Sequence, residues 1–138
     1  MAQVYQKRIQ IRFRDADPAR ILFFGNVFSL AHDTFEDFIQ ESGISWRNWF
    51  SGEPYIVPIR HAECDYLAPF RVGEHYEVKA TVAQLRESSF QMRYVFTRGS
   101  QTHAVVTMVH TFLDPKTQQK IPIPETVKSK LLPFLESP

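Results

Sequence analysis

One cysteine, Cys64, stands among 138 residues. A lone thiol excludes an intrachain disulfide and any zinc site built from several cysteines. No apolar run approaches the roughly eighteen residues of a membrane-spanning helix. The segment from Met1 to Lys7 has no apolar stretch of the kind that directs secretion, so the cytoplasm is the expected location. Charge of either sign is also missing in excess: 16 Lys and Arg against 15 Asp and Glu leave a net charge of +1. No global field therefore draws the chain to nucleic acid or to an acidic membrane. Arg8, Arg12 and Arg14 are too sparse to supply one locally. There is no internal repeat, low-complexity stretch or linker, and the length suits a single domain over residues 1–138.

What is abundant is phenylalanine, with 12 in the chain. That count fits an aromatic core, an apolar ligand pocket or a subunit interface, since pockets are themselves largely apolar and aromatic.

Lys7 to Arg14 alternates strictly, with Ile9, Ile11 and Phe13 on one face, which predicts a half-buried strand ended by Pro18. Asn26 is a suitable N-cap. Behind it Val27, Leu30, Ala31, Thr34, Phe35 and Phe38 recur at helical spacing. Phe28 and Ile39 widen the stripe, so the helix is expected to be buried on more than one side. Asp33, Glu36 and Asp37 are left to the exposed remainder, and Gly43 suits the position after the helix. Ser45 to Gly52, with Trp46, Trp49 and Phe50, reads as a short helix or ordered loop over the core.

Strand-like segments follow at Tyr55–Tyr66, with Pro58 marking an edge or bulge, then His75–Leu85, Phe90–Phe96 and His103–Leu113. Glu125 to Leu132 reads as a short terminal helix. One strand, one long helix and four more strands, mostly alternating, imply an antiparallel sheet with one face covered. Five strands enclose a single helix only by curling round it. The class is α+β.

Between the first strand and the helix, Asp15 and Asp17 lie on a Pro-containing turn. A carboxylate beside a helix N-terminus neighbours unpaired backbone N–H groups able to hold an oxyanion. That pairing points to hydrolysis of an activated carbonyl. Taken alone, Asp17 reads better as a turn carboxylate capping backbone amides.

The segment Phe13-Arg14-Asp15-Ala16-Asp17-Pro18-Ala19, with Ile21-Leu22-Phe23-Phe24 and Asn26, resembles hotdog-fold acyl-CoA thioesterases of the 4-hydroxybenzoyl-CoA thioesterase type. Asp65-Tyr66-x-x-Pro69-x-x-x-Gly73-Glu74 resembles that family's second-strand signature. Phe112-Leu113-Asp114 with Ile121-Pro122-Ile123-Pro124 resembles its C-terminal end. The resemblance implies a hotdog fold, a five-stranded antiparallel sheet wrapped round one long helix. It also implies hydrolysis of an acyl-CoA substrate, without a cofactor or metal, by a homodimer or homotetramer with active sites at the subunit interface. Asp17 falls on the family's catalytic carboxylate, and the backbone N–H of Phe24 or Gly25 on the group that polarises the thioester carbonyl.

Two positions depart from the pattern. Arg20 stands where the family has Gly, which serves a positive φ or a close approach to ligand; here Arg20 either reshapes the loop or reaches a phosphate or carboxylate. Phe24 stands where the family often has Tyr or His, and its side chain has no hydrogen-bonding group for proton transfer. These departures keep a non-catalytic binder of acyl-CoA or a partner protein as a rival reading. Dehydratases of the fold pair the Asp with a His, and no Asp-x-x-x-x-His spacing follows Asp17.

His32 lies on the apolar flank formed by Phe28, Phe35 and Ile39. It is either a satisfied core histidine or, as in aromatic-acyl members, a contact to the acyl group's polar substituent, with Phe28 beside it. His32 and the His61-Ala62-x-x-Asp65 stretch resemble thioesterases acting on dihydroxynaphthoyl-CoA, which adds His61 as a substrate-binding candidate. An aromatic acyl group is favoured over a short or medium fatty chain. His61, Glu63 and Asp65 share a strand face and suit a solvated or interfacial surface better than a metal.

Overall fold

Tyr76, Val78, Ala80 and Val82 alternate along β3, His75–Leu85, and all four are buried. That face sets the core. A computed structural model describes residues 2–137. Its other strands are β1, Tyr5–Gln10, β2, Ile59–Tyr66, β4, Ser89–Arg98, and β5, Gln101–Thr111. They form one antiparallel sheet in the order β1-β3-β4-β5-β2. The long helix α1, Asn26–Ser42, turns Val27, Ala31, Thr34, Phe35, Phe38 and Ile39 into the core. Thr34 is tolerated there because its hydroxyl donates to the Leu30 carbonyl at 3.0 Å. This is the hotdog arrangement, a curled sheet around a central helix.

Gly43 ends α1 in the left-handed region, at φ +83°, where a side chain would be strained. A short helix α2, Trp46–Ser51, follows; the Asn48 amide donates to the Ser45 hydroxyl at 3.1 Å, and Trp49 covers the core. Helix α3, Glu125–Leu131, closes the chain with buried Val127 and Leu131. Beyond it the tail meets β3 where β1 has ended: the Glu136 amide donates to the Val82 carbonyl at 2.8 Å, and its carboxylate accepts from Thr81 and Arg93.

Four expectations need correction. The first strand runs from Tyr5 to Gln10, and the Lys7–Arg14 alternation misleads at its end. Ile11 still pairs with Glu74 and Gly73 and is buried, but Phe13–Asp15 forms a 3-10 turn. The Asp15 carboxylate drives that turn by accepting the Arg12 amide at 2.8 Å. Phe13 is thereby swung out of the core to 87% exposure. Gly25, not Asn26, is the N-cap of α1; the Asn26 side chain instead donates to the Asp15 carbonyl at 2.8 Å. Glu36 and Asp37 are half-buried and paired, with His32 and Lys7 respectively. The strand expected from Tyr55 starts at Ile59, preceded by an isolated bridge from Ile56 to Leu113 and a bond from the Thr111 amide to the Pro58 carbonyl at 3.1 Å, and β2 has its bulge between Ile59 and His61.

Candidate active site

The acidic turn is the end of a small hairpin. Ala16 bridges Leu22, the Asp17 amide donates to Ile21 O at 3.0 Å, and the Phe23 amide donates to Asp15 O at 2.9 Å. The hairpin is tied to the body through Leu22 N–H to Phe70 O at 2.8 Å and an Ile21–Arg71 bridge. Asp17 sits at its tip, half-buried, with Oδ1 accepting from Ala19 N–H at 2.8 Å. Arg20 closes the tip at φ +65°, its amide donating to the Asp17 carbonyl at 2.9 Å. The left-handed backbone that glycine would supply is thus adopted by arginine. Asp15 is structural: its carbonyl takes Phe23 and Asn26, and its carboxylate takes Arg12.

Phe24 and Gly25 lie past the hairpin's base, where α1 begins. The Asn26 amide is used by Phe23 O at 2.9 Å, whereas those of Phe24 and Gly25 donate to no acceptor among the described residues. Two N–H groups without an acceptor thus stand beside the positive end of a 17-residue helix, where negative charge is favoured. The Phe24 ring is 66% exposed and leans on Phe23, centroids 4.8 Å apart. An apolar cleft of about 330 Å³ opens beside it, lined among others by Ile21, Leu22, Tyr66, Leu67 and Phe70.

Tyr66 was not foreseen as part of this region. At the end of β2, its hydroxyl donates to the Phe24 carbonyl. Burial, with Cys64 beside it, pushes its hydroxyl up to about 12, so it remains a proton donor through the neutral range. Cys64 alternates with it on the strand face turned to α1 and is free and half-buried. Tyrosine in the Asp65-Tyr66 pair was the available signal, but nothing local tells that it reaches back 42 residues.

His32 is half-buried on α1. Its Nδ1 lies 2.9 Å from Glu36 Oε2, and a carboxylate can only accept, so Nδ1 donates, and Nε2 has no partner among the described residues. The Phe35 and Phe50 rings lie 5.8 and 6.4 Å away, and Phe28, also half-buried, is one turn earlier. His61 is placed elsewhere. It pairs with Val109 on the sheet face turned away from α1, exposed, 3.6 Å from Glu63. The structure therefore does not bring His61 to Asp17 or His32 within one chain. Among the described residues no group of three or more His, Cys, Asp or Glu is placed to hold a metal ion.

Beneath His32, His110 is buried between Phe35 and Phe90, with centroids at 4.4 and 4.9 Å. Burial first, and His32 second, push its imidazole down to about 3, so it is neutral at pH 7.

Comparison with known proteins gives the family and the fold. The profile of the thioesterase-like superfamily matches residues 11–131. A 1,4-dihydroxy-2-naphthoyl-CoA hydrolase of Synechococcus elongatus is 33% identical over 128 residues, covering 92% of this chain and 94% of its own. That of Acaryochloris marina is 31% identical over 118 residues, covering 83% and 86%. Among solved structures, a 1,4-dihydroxy-2-naphthoyl-CoA thioesterase from Synechocystis superposes with a TM-score of 0.87 at 21% identity, over 94% of this chain and 96% of that one. At that identity the likeness speaks for the fold. No helix among the described residues is long and apolar enough to cross a membrane. By sequence profile, by relatives and by fold, the chain belongs to the thioesterase-like superfamily.

Proposed function

We propose that this chain hydrolyses the thioester between coenzyme A and an aromatic, hydroxylated acyl group. One observation carries the reading: a half-buried carboxylate, Asp17, at the tip of a hairpin whose other arm leads directly into two undonated amides, Phe24 and Gly25, at the start of α1. A thioester carbonyl needs only a nucleophile and a place for its developing negative charge. Asp17 either attacks the carbonyl itself, giving a mixed anhydride that water then opens, or takes a proton from the attacking water. In both routes a new C–O bond replaces the C–S bond, the amides hold the oxyanion, and coenzyme A leaves as the thiol.

The aromatic assignment is supported by the named substrate of the Synechococcus and Acaryochloris relatives. Within this chain the His32 Nε2 has no partner among the described residues and can hydrogen-bond an acyl hydroxyl in aromatic surroundings. The rival non-catalytic reading draws on Arg20 and on Phe24, whose side chain has no hydrogen-bonding group. Since Arg20 itself takes φ +65°, the turn that carries Asp17 does not require glycine there.

The working unit is a homodimer or larger, with active sites where two copies meet. β2 is an edge strand whose Ile59 and Tyr66, with Leu67, Phe23 and Phe24 nearby in the fold, are 42–66% exposed. Such an edge favours pairing. His61 on its outer face then serves a neighbouring copy rather than its own chain. The lone free thiol suits a reducing cytoplasm.

A panel of acyl-CoA esters, followed by release of free thiol, tests the proposal. Turnover of hydroxylated aroyl-CoA esters above saturated chains supports it; preference for saturated chains rejects the aromatic assignment, and no turnover of any ester rejects hydrolysis.

A further inference from the structure

The two candidate oxyanion amides belong to consecutive peptide units, and each unit is held by its carbonyl. Both units are trans, the Glu53-Pro54 bond being the one cis peptide among the described residues. In a planar trans unit the C=O of one residue and the N–H of the next point in opposite directions. Fixing the carbonyl therefore aims the N–H. The Phe24 N–H shares its unit with the Phe23 carbonyl, which accepts from the Asn26 amide at 2.9 Å. That unit is set by the local backbone. The Gly25 N–H shares its unit with the Phe24 carbonyl, and no backbone donor among the described residues meets that carbonyl. The Tyr66 hydroxyl does.

We propose that Tyr66 is a positioning residue for thioester hydrolysis: its hydroxyl, by holding the Phe24 carbonyl, turns the Gly25 N–H towards the substrate oxygen. This rests on the reading of Gly25 as an oxyanion donor. The high hydroxyl pKa keeps Tyr66 a donor across the working range. Tyr66 touches neither the thioester nor the attacking group in this account. Its effect falls on the step in which charge builds on the carbonyl oxygen, and little on ground-state binding. The contact also links β2 to the entrance of α1, two elements whose separation in sequence gives no local reason to keep them in register.

The test is Tyr66→Phe, which removes one oxygen from a half-exposed side chain, examined beside Asp17→Asn. The expected result is a fall in kcat of about tenfold or more with KM and Tm nearly unchanged, since the donor is misaimed rather than deleted. A second readout uses a ketone analogue of the substrate, with a methylene between sulfur and carbonyl and a 13C label on the carbonyl. Its infrared stretch, lowered by the oxyanion donors in the parent protein, is expected to move back towards its solution frequency in Tyr66→Phe. Unchanged kcat overturns the proposal, as does a kcat loss accompanied by an unmoved carbonyl stretch. If Tyr66→Phe is fully active while Asp17→Asn is dead, only the role of Tyr66 fails. If Asp17→Asn keeps its turnover, the hydrolase mechanism beneath it fails.

Discussion

Arg20 donates its amide to the Asp17 carbonyl at 2.9 Å while its own φ is +65°. The candidate catalytic carboxylate is thus displayed by a turn whose closing residue occupies a backbone region that L-residues seldom enter. A non-glycine residue there carries strain of about 1 kcal/mol or more. Arg20→Gly removes that strain but adds unfolded-chain entropy of about 0.5–1 kcal/mol, so its stability should match the parent closely. Arg20→Val, β-branched, is expected to be about 1–2 kcal/mol less stable. Urea midpoints of the two variants check this, and equal midpoints would contradict it.

His110 supplies a pH dependence with a definite sign. Its imidazole is held down at about 3 in the fold, against 6.5 in the unfolded chain. Between those values the unfolded chain binds a proton that the native chain refuses. The contribution of His110 to stability is therefore complete above pH 6.5 and is lost as pH falls towards 3, at up to about 1.4 kcal/mol per pH unit. His110→Phe keeps an aromatic ring between Phe35 and Phe90 and removes a buried, unpartnered Nε2. It should flatten the acid limb of the stability curve while costing little at pH 7. Denaturant titrations at pH 4.5 and pH 7 give the comparison.

His32 should decide acyl preference rather than rate in general. His32→Phe is expected to lower kcat/KM for a hydroxylated aroyl-CoA by about five- to tenfold, the worth of one hydrogen bond. The unsubstituted benzoyl ester should be hydrolysed as before. Equal losses on both esters would assign His32 to packing alone.

The C-terminal tail is anchored through Glu136, whose carboxylate accepts from Thr81 at 2.6 Å and Arg93 at 2.9 Å. These partners are part-exposed, so solvent screening limits the gain. Glu136→Ala is expected to lower stability by about 1 kcal/mol. Activity should stay unchanged, because the tail joins β3 on the side of the sheet away from β2. Thermal melts and thiol-release assays on the same preparation report both.

Much of the fold was legible because it rests on local periodicity. The β3 alternation gives its boundaries and its buried face, and the Val27-Ala31-Thr34-Phe38 spacing gives α1. Phe13 shows where periodicity fails: an apolar residue in phase with Ile9 and Ile11 is expelled by a side-chain-to-backbone bond from Asp15. Asp17, Phe24 and Gly25 were legible as a motif, and the strain at Arg20 was legible as a departure from it. Tyr66 was not, since its bond to Phe24 depends on how β2 is set against the hairpin by the whole sheet. His61 illustrates the converse. Its spacing from Asp65 matched the motif, yet strand register sends its side chain to the opposite face from α1.

The central claim is that the Asp17 carboxylate performs the chemistry, and Asp17→Asn tests it most directly. Asparagine retains the oxygen that accepts from Ala19, so the hairpin should hold and the melting temperature should stay put. Release of coenzyme A from a hydroxylated aroyl ester is expected to fall by about 10²–10⁴-fold or more. A folded Asp17→Asn protein that still turns over at the parent rate would contradict the account.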